Sequence, residues 1–171
     1  LTPDVVRDDG DFWDWYTRRL HNDNQFLRDV VARKSFSKLR SAIGGLYANR
    51  GLFRQAEEAF HQARILYPLS PEANFRLVQE VLLREARFTE SRAIMEAYAA
   101  SDPGNDRVPD FLRQLVRIEE LDVRIRGLEA QRQQGAMDVT AAFQLAESYQ
   151  QAMQSTRAVE IINGILATAD L

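Results

Sequence analysis

Apolar residues recur along this chain at intervals of three and four, the spacing that lines one face of an α-helix. The clearest run is Val108, Phe111, Leu115, Ile118, Leu121, Ile125 and Leu128. No turn signal interrupts Phe111 to Arg126, so the spacing predicts one long helix over roughly Arg107 to Gln134, about 40 Å at 1.5 Å per residue. The alternative is a degenerate helical hairpin bent at Gly127. Near the N-terminus, Phe12, Trp13, Trp15, Tyr16 and Leu20 project onto one half of a helix. Asp8, Asp9 and Asp11 are expected near its start, where carboxylates suit the helix dipole. After an Asn22-Asp23-Asn24 turn, Phe26, Leu27, Val30 and Val31 open another helix. It either runs on through Phe36 and Leu39 or breaks near Ser35. Strict alternation of apolar and polar residues is scarce, so no sheet is expected and the fold class is all-α.

Between these segments lies a denser pattern. Arg40-x-x-Ile43-Gly44-x-x-Tyr47 is followed by Gly51-x-Phe53-x-x-Ala56-x-x-x-Phe60-x-x-Ala63 and then Pro68. Small residues at Gly44 and Ala56 let two antiparallel helices approach, and Tyr47 and Phe60 fill the space beside them. Gly51 supplies the tight turn, and Pro68 ends the second helix because it has no backbone N–H to donate. The pattern resembles the tetratricopeptide repeat, a two-helix unit of about 34 residues, with Arg40 standing where that family often has Trp. The resemblance implies a right-handed α-α superhelix, with the long segment as a connecting helix, that binds other polypeptides.

One such unit cannot bury its apolar faces alone. A second is read from Pro71-Glu72-Ala73, with Leu77, Val78 and Val81 in the places of Ile43, Gly44 and Tyr47. Its second half, Ala86, Phe88, Ser91 and Met95, falls one step late, which puts a one-residue insertion in the turn near Arg84 to Ala86. A third unit carries Leu145-Ala146-x-x-Tyr149, Ala158 and Ile162. Gly44 and Ala146, Tyr47 and Tyr149, and Ala56 and Ala158 are each 102 residues apart, three periods. The resulting organisation is an N-terminal aromatic cap over 1–34, two repeats over 35–104, a long helix or degenerate repeat over 105–137, and a third repeat over 138–171. The aromatic stretch reads either as a cap on the first repeat or as a binding patch.

In the repeat-like register the concave side takes Lys38, Ser41, Ala48 and Asn49 from the first unit and Glu72, Phe75, Gln79 and Leu82 from the second. The third supplies Thr140, Phe143, Glu147 and Gln150. Lys38, Asn49, Phe75, Gln79, Phe143 and Glu147 are the candidate partner-binding residues, with Phe75 and Phe143 as apolar anchors or, alternatively, core. The carboxylate clamp of paired lysines and asparagines that the resemblance would supply is absent, since only Lys38 and Asn49 are of the right types. The last helix carries Ala158, Val159, Ile161, Ile162, Ile165, Leu166 and Ala169, and the chain ends at Leu171. That face is wide enough to serve self-association, unless the long helix folds back over it.

Composition narrows the function classes. A formal charge of −3 gives no electrostatic footprint for nucleic acid, and no apolar run is long enough to span a bilayer. With no cysteine there is neither a disulfide framework nor thiol chemistry, which fits either side of a bacterial membrane. His21 and His61 have no partner at metal-ligand spacing, and neither a phosphate loop nor a nucleophile elbow occurs. No catalytic, cofactor or metal site is expected, and the expected role is a non-catalytic protein-interaction scaffold. The chain starts at Leu1 with no methionine before Met95, as a piece of a longer protein would. The stretch Val31 to Ile43, with Phe12-Trp13 before it, is similar to the soluble tail of bacterial multi-pass membrane proteins related to protein O-mannosyltransferases. That resemblance implies the alternative role of an accessory domain on the extracytoplasmic face, with catalysis elsewhere; without it the expected location is cytoplasmic.

Overall fold

A computed structural model describes residues 1–152 and 154–169. Consecutive helices joined by short turns make up most of that length: α1 (Pro3–His21), α2 (Asn24–Arg28), α3 (Val30–Asn49), α4 (Phe53–Leu66) and α5 (Pro71–Leu77). A π-helical turn at Val78–Leu82 continues α5, and α6 (Phe88–Ser101), α7 (Arg107–Gln133), α8 (Val139–Gln151) and α9 (Ser155–Ala169) follow. The fold is all-α, with no strand among the described residues. None of the described helices is long and apolar enough to cross a membrane. Two compact units divide at Leu112, inside α7.

In the first unit, α1 begins earlier than the aspartates suggest. Thr2 caps it by accepting from the Val5 N–H, and Pro3 occupies the first turn, where a missing N–H is harmless. Asp8, Asp9 and Asp11 therefore lie inside the helix rather than at its positive end, and Asp9 has another use, described below. The break before α3 falls at Asp29, whose side chain caps the Ala32 N–H, and not at Ser35. Ser35 stays within the helix, its hydroxyl satisfied by donating to the Val31 carbonyl. The boundary drawn at residue 34 thus cuts through a continuous helix.

The turn between α3 and α4 recurs. The Leu52 N–H reaches back to the Tyr47 carbonyl around Gly51, at φ +73°. The Arg87 N–H reaches the Leu82 carbonyl around Ala86, at φ +57°, and the Gln154 N–H reaches the Tyr149 carbonyl. Leu82, rather than Val81, therefore holds the place of Tyr47. The extra residue of the second hairpin is not in the turn: it is taken up upstream, where Val78–Leu82 widens into a π-helix and Leu83 N–H bonds Val78 O.

Packing explains the small residues. A methyl at Gly44 would lie 2.9 Å from Cε1 of Phe60, a fully buried ring. Helix α1 lies against α4, where Trp13, Leu20, Phe26 and Leu66 form a cluster edged by Tyr16, Phe36 and Ile43. The aromatic face of α1 is split, since Trp13 and Leu20 are buried while Phe12 and Trp15 stay half exposed at 49% and 50%. Farther along, Phe75 packs at 5.1 Å from Phe111 and 6.2 Å from Tyr98.

The second unit has its own core. Ile125 of α7, Ala142, Leu145, Ala146 and Tyr149 of α8, and Ile161 of α9 are buried together, with Leu121, Leu128, Ile162 and Ile165 packed against them. Asp138 caps α8 by accepting from the Ala141 N–H at 2.6 Å, and the Tyr149 hydroxyl donates to Glu129 of α7 at 2.8 Å. The apolar face of α9 is thereby divided: Ile161 is enclosed, Ile162 and Ile165 are half-buried, and Val159 and Leu166 remain exposed. The side chain of Ala169, and Leu171, lie outside the described residues.

Candidate functional site

The candidate residues of the first unit do not converge. Lys38, Asn49 and Gln79 are exposed, whereas Ser41, Ala48, Leu82 and Phe75 are buried. Phe75 is an interior ring rather than a surface anchor, because Phe111 arrives from α7 to cover it and the Arg107 guanidinium lies 5.1 Å from its centroid. Between α3 and α5 the space is occupied by Arg76. Its guanidinium donates to the Ser41 carbonyl at 3.2 Å, pairs with Glu80 at 2.7 Å and Glu72 at 3.2 Å, and lies 5.5 Å from the Phe60 ring centroid. Gly45 makes this possible, since a Cβ there would fall 1.5 Å from Arg76 Nη2. The signals in the sequence were the second glycine of Gly44-Gly45 and the Glu72, Arg76, Glu80 spacing of four.

A polar network under α1 was also missed. Arg40 is 1% exposed. Its Nη1 donates to Asp9 Oδ2 at 2.7 Å, its Nε donates to Gln62 Oε1 at 2.6 Å, and Trp13 covers it at 5.2 Å. The Tyr47 hydroxyl donates to the same Asp9 oxygen at 2.7 Å, and Gln62 donates onward to Asp14. Burial, reinforced by Asp9, pushes the Tyr47 phenol up to about 12. The network ties α1 to α3 and α4. Arg40 and Gln62 are buried and bonded to one another, while Asp9 and Asp14 lie toward the outer side, an arrangement suited to holding elements together.

In the second unit, two candidates do come together. Phe143 and Glu147 stand on α8 beside Ala146 and Gln150, facing Ser155, Ala158, Val159 and Ile162 of α9 across a cleft of about 390 Å³. Phe143 is 53% and Val159 56% exposed, so the cleft has an apolar floor with a carboxylate at its edge. Thr140 is exposed.

No protein-family model matches the chain, and no curated protein matches it. Among the described residues no cluster of three or more His, Asp or Glu side chains is placed to hold a metal ion. The surface chemistry of the two units therefore carries the functional reading.

Proposed function

We propose that this chain is a non-catalytic scaffold of tetratricopeptide-like helical hairpins that binds a polypeptide partner, and that the α8–α9 cleft is its principal contact. The common spacing of 102 residues between Gly44 and Ala146, Tyr47 and Tyr149, and Ala56 and Ala158 supports kinship among the hairpins. The observation that carries the binding assignment is the exposed Phe143 ring over that cleft, flanked by Val159 and Glu147. A large ring held open to water on a rigid helix is the kind of residue that dominates interface energy, and a rim carboxylate adds orientation. Selection of random peptides against the chain should return apolar segments that bind saturably. Phe143→Ala should weaken them about tenfold or more, and Val159→Glu should do the same, with helicity unchanged. Binding that is indifferent to both substitutions would refute the assignment of this cleft.

A further inference from the structure

A pocket of about 370 Å³ in the first unit is lined by His61, Arg64, Ile65 and Pro68, by Asn74, and by Ala97, Tyr98 and Ser101. The lining contains two basic side chains and no carboxylate, in a chain whose formal charge is −3. We propose that this pocket is a binding site for a compact oxyanion, a carboxylate or phosphoryl group, seated on the Arg64 guanidinium.

The site is built rather than incidental. Asn74, 1% exposed, accepts from Arg64 Nε at 2.8 Å. Its own amide is fixed by donating to the Pro68 carbonyl at 3.0 Å and the Ser70 carbonyl at 2.8 Å. Arg64 Nη1 approaches His61 Nδ1 at 3.3 Å, so the imidazole is oriented as well. These bonds use Nε and one Nη group, and no carboxylate among the described residues pairs with Arg64. By contrast Arg40, Arg76 and Arg87 each meet a carboxylate at 2.7 Å. A half-buried guanidinium without a counter-charge is unfavourable unless one arrives from outside, and its planar fork suits a two-oxygen anion. Ile65 and Pro68 give the rim an apolar side against which the stem of an acidic or phosphorylated side chain can lie. The pocket is separate from Lys38 and Asn49.

His61 reports on occupancy. Burial, and after it the charge of Arg64, hold its imidazole below the ordinary value. Glu57 on the same helix and Glu90 on α6 oppose this, although Glu57 is engaged by Arg87 at 2.7 Å. An anion on Arg64 cancels the repulsion and raises the His61 midpoint. The chain has two histidines, and His21 is exposed at the end of α1, so it serves as an internal reference.

The test is a proton NMR titration of both imidazoles at constant ionic strength. The probes are inorganic phosphate, acetate, and the blocked peptide acetyl-Ala-Glu-Ala-amide beside its glutamine counterpart. The expected result is a saturable shift of His61 alone, with a midpoint on the order of millimolar and a raised His61 pKa. Arg64→Gln should weaken it roughly tenfold or more, while Arg64→Lys, which keeps the charge, retains part of it. Preference for the glutamate peptide over acetate would assign a protein side chain as the source, and preference for phosphate a phosphoryl group. Linear shifts shared with His21, or equal affinity in a folded Arg64→Gln variant, would overturn the proposal. Unfolding midpoints of both variants by tryptophan fluorescence establish that the pocket is still formed.

Discussion

Replacing Arg40 with methionine removes a buried charge from the centre of the first unit while keeping much of its volume. The substitution leaves Gln62 Oε1 and Asp9 Oδ2 without the donors now 2.6 and 2.7 Å away. Breaking one partner out of a buried ion pair costs about 3–5 kcal/mol. The lower end applies here, because the Asp9 side chain is 23% exposed and still accepts from Tyr47. Loss of the cation over Trp13 adds about 0.5–1 kcal/mol, and the apolar methionine offsets part of it. The net expectation is about 3 kcal/mol, a large share of the roughly 5–15 kcal/mol that stabilises a typical protein. Both tryptophans lie on α1, so their fluorescence in a urea titration follows the first unit. The midpoint should fall by about 1–3 M, given slopes of about 1–3 kcal/mol/M. A double-mutant cycle with Asp9→Asn should return a coupling of at least about 1 kcal/mol. A loss below about 1 kcal/mol with no coupling would mean that Arg40 does not hold α1 in place.

Gly44→Leu should destabilise by at least about 1–3 kcal/mol in the same titration, because even its Cβ would meet the Phe60 ring at 2.9 Å; an unchanged midpoint would refute the close approach. Ala86→Gly should stabilise by about 0.5–1 kcal/mol, since Ala86 holds φ +57° at the place where the first hairpin has Gly51 at φ +73°. A thermal midpoint unmoved or lowered would contradict a strained turn. Burial, with Asp9 and Asp102 respectively, pushes the Tyr47 and Tyr98 phenols up to about 12, above the unfolded value near 10. Their contribution to stability is therefore complete below about pH 10 and is lost as pH rises toward 12. Absorbance titration of the folded protein should show a wave near 12 that shrinks in Tyr47→Phe, and a single wave near 10 would refute this.

Much of the helical architecture was legible because its causes are local. A period of three to four predicts α7, and a glycine after Tyr47 predicts the turn at Gly51, since both depend on residues a few positions apart. The π-helical turn at Val78–Leu82 left no such trace, because one extra residue in an apolar helix changes neither composition nor local period. Phe75 and Phe143 read alike in the sequence, each one apolar residue on a helix face. They part company only because Phe111 covers the first, while the second is left open above α9. The Arg64 pocket was equally invisible, since its walls come from α4, from α5 and the loop before it, and from α6, and its chemistry lies in a carboxylate that is missing.

Arg40 and the aromatic segment were read as two separate oddities, a charge where the repeat-like pattern favours an indole and an indole-rich helix outside the pattern. The structure joins them. Trp13 of α1 supplies a ring 5.2 Å from the guanidinium that occupies the Trp-like position, and Asp9, four residues earlier on the same helix, supplies its counter-charge. Each departure is unfavourable alone: an arginine buried to 1% exposure without a partner, and a tryptophan on a helix with nothing to cover. Together they are satisfied, and neither can be changed without stranding the other. Helix α1 is therefore a part of the first hairpin's core and not an appendage to it. Its remaining aromatic surface, Phe12 and Trp15, is what the core leaves over once Trp13 has been claimed by Arg40.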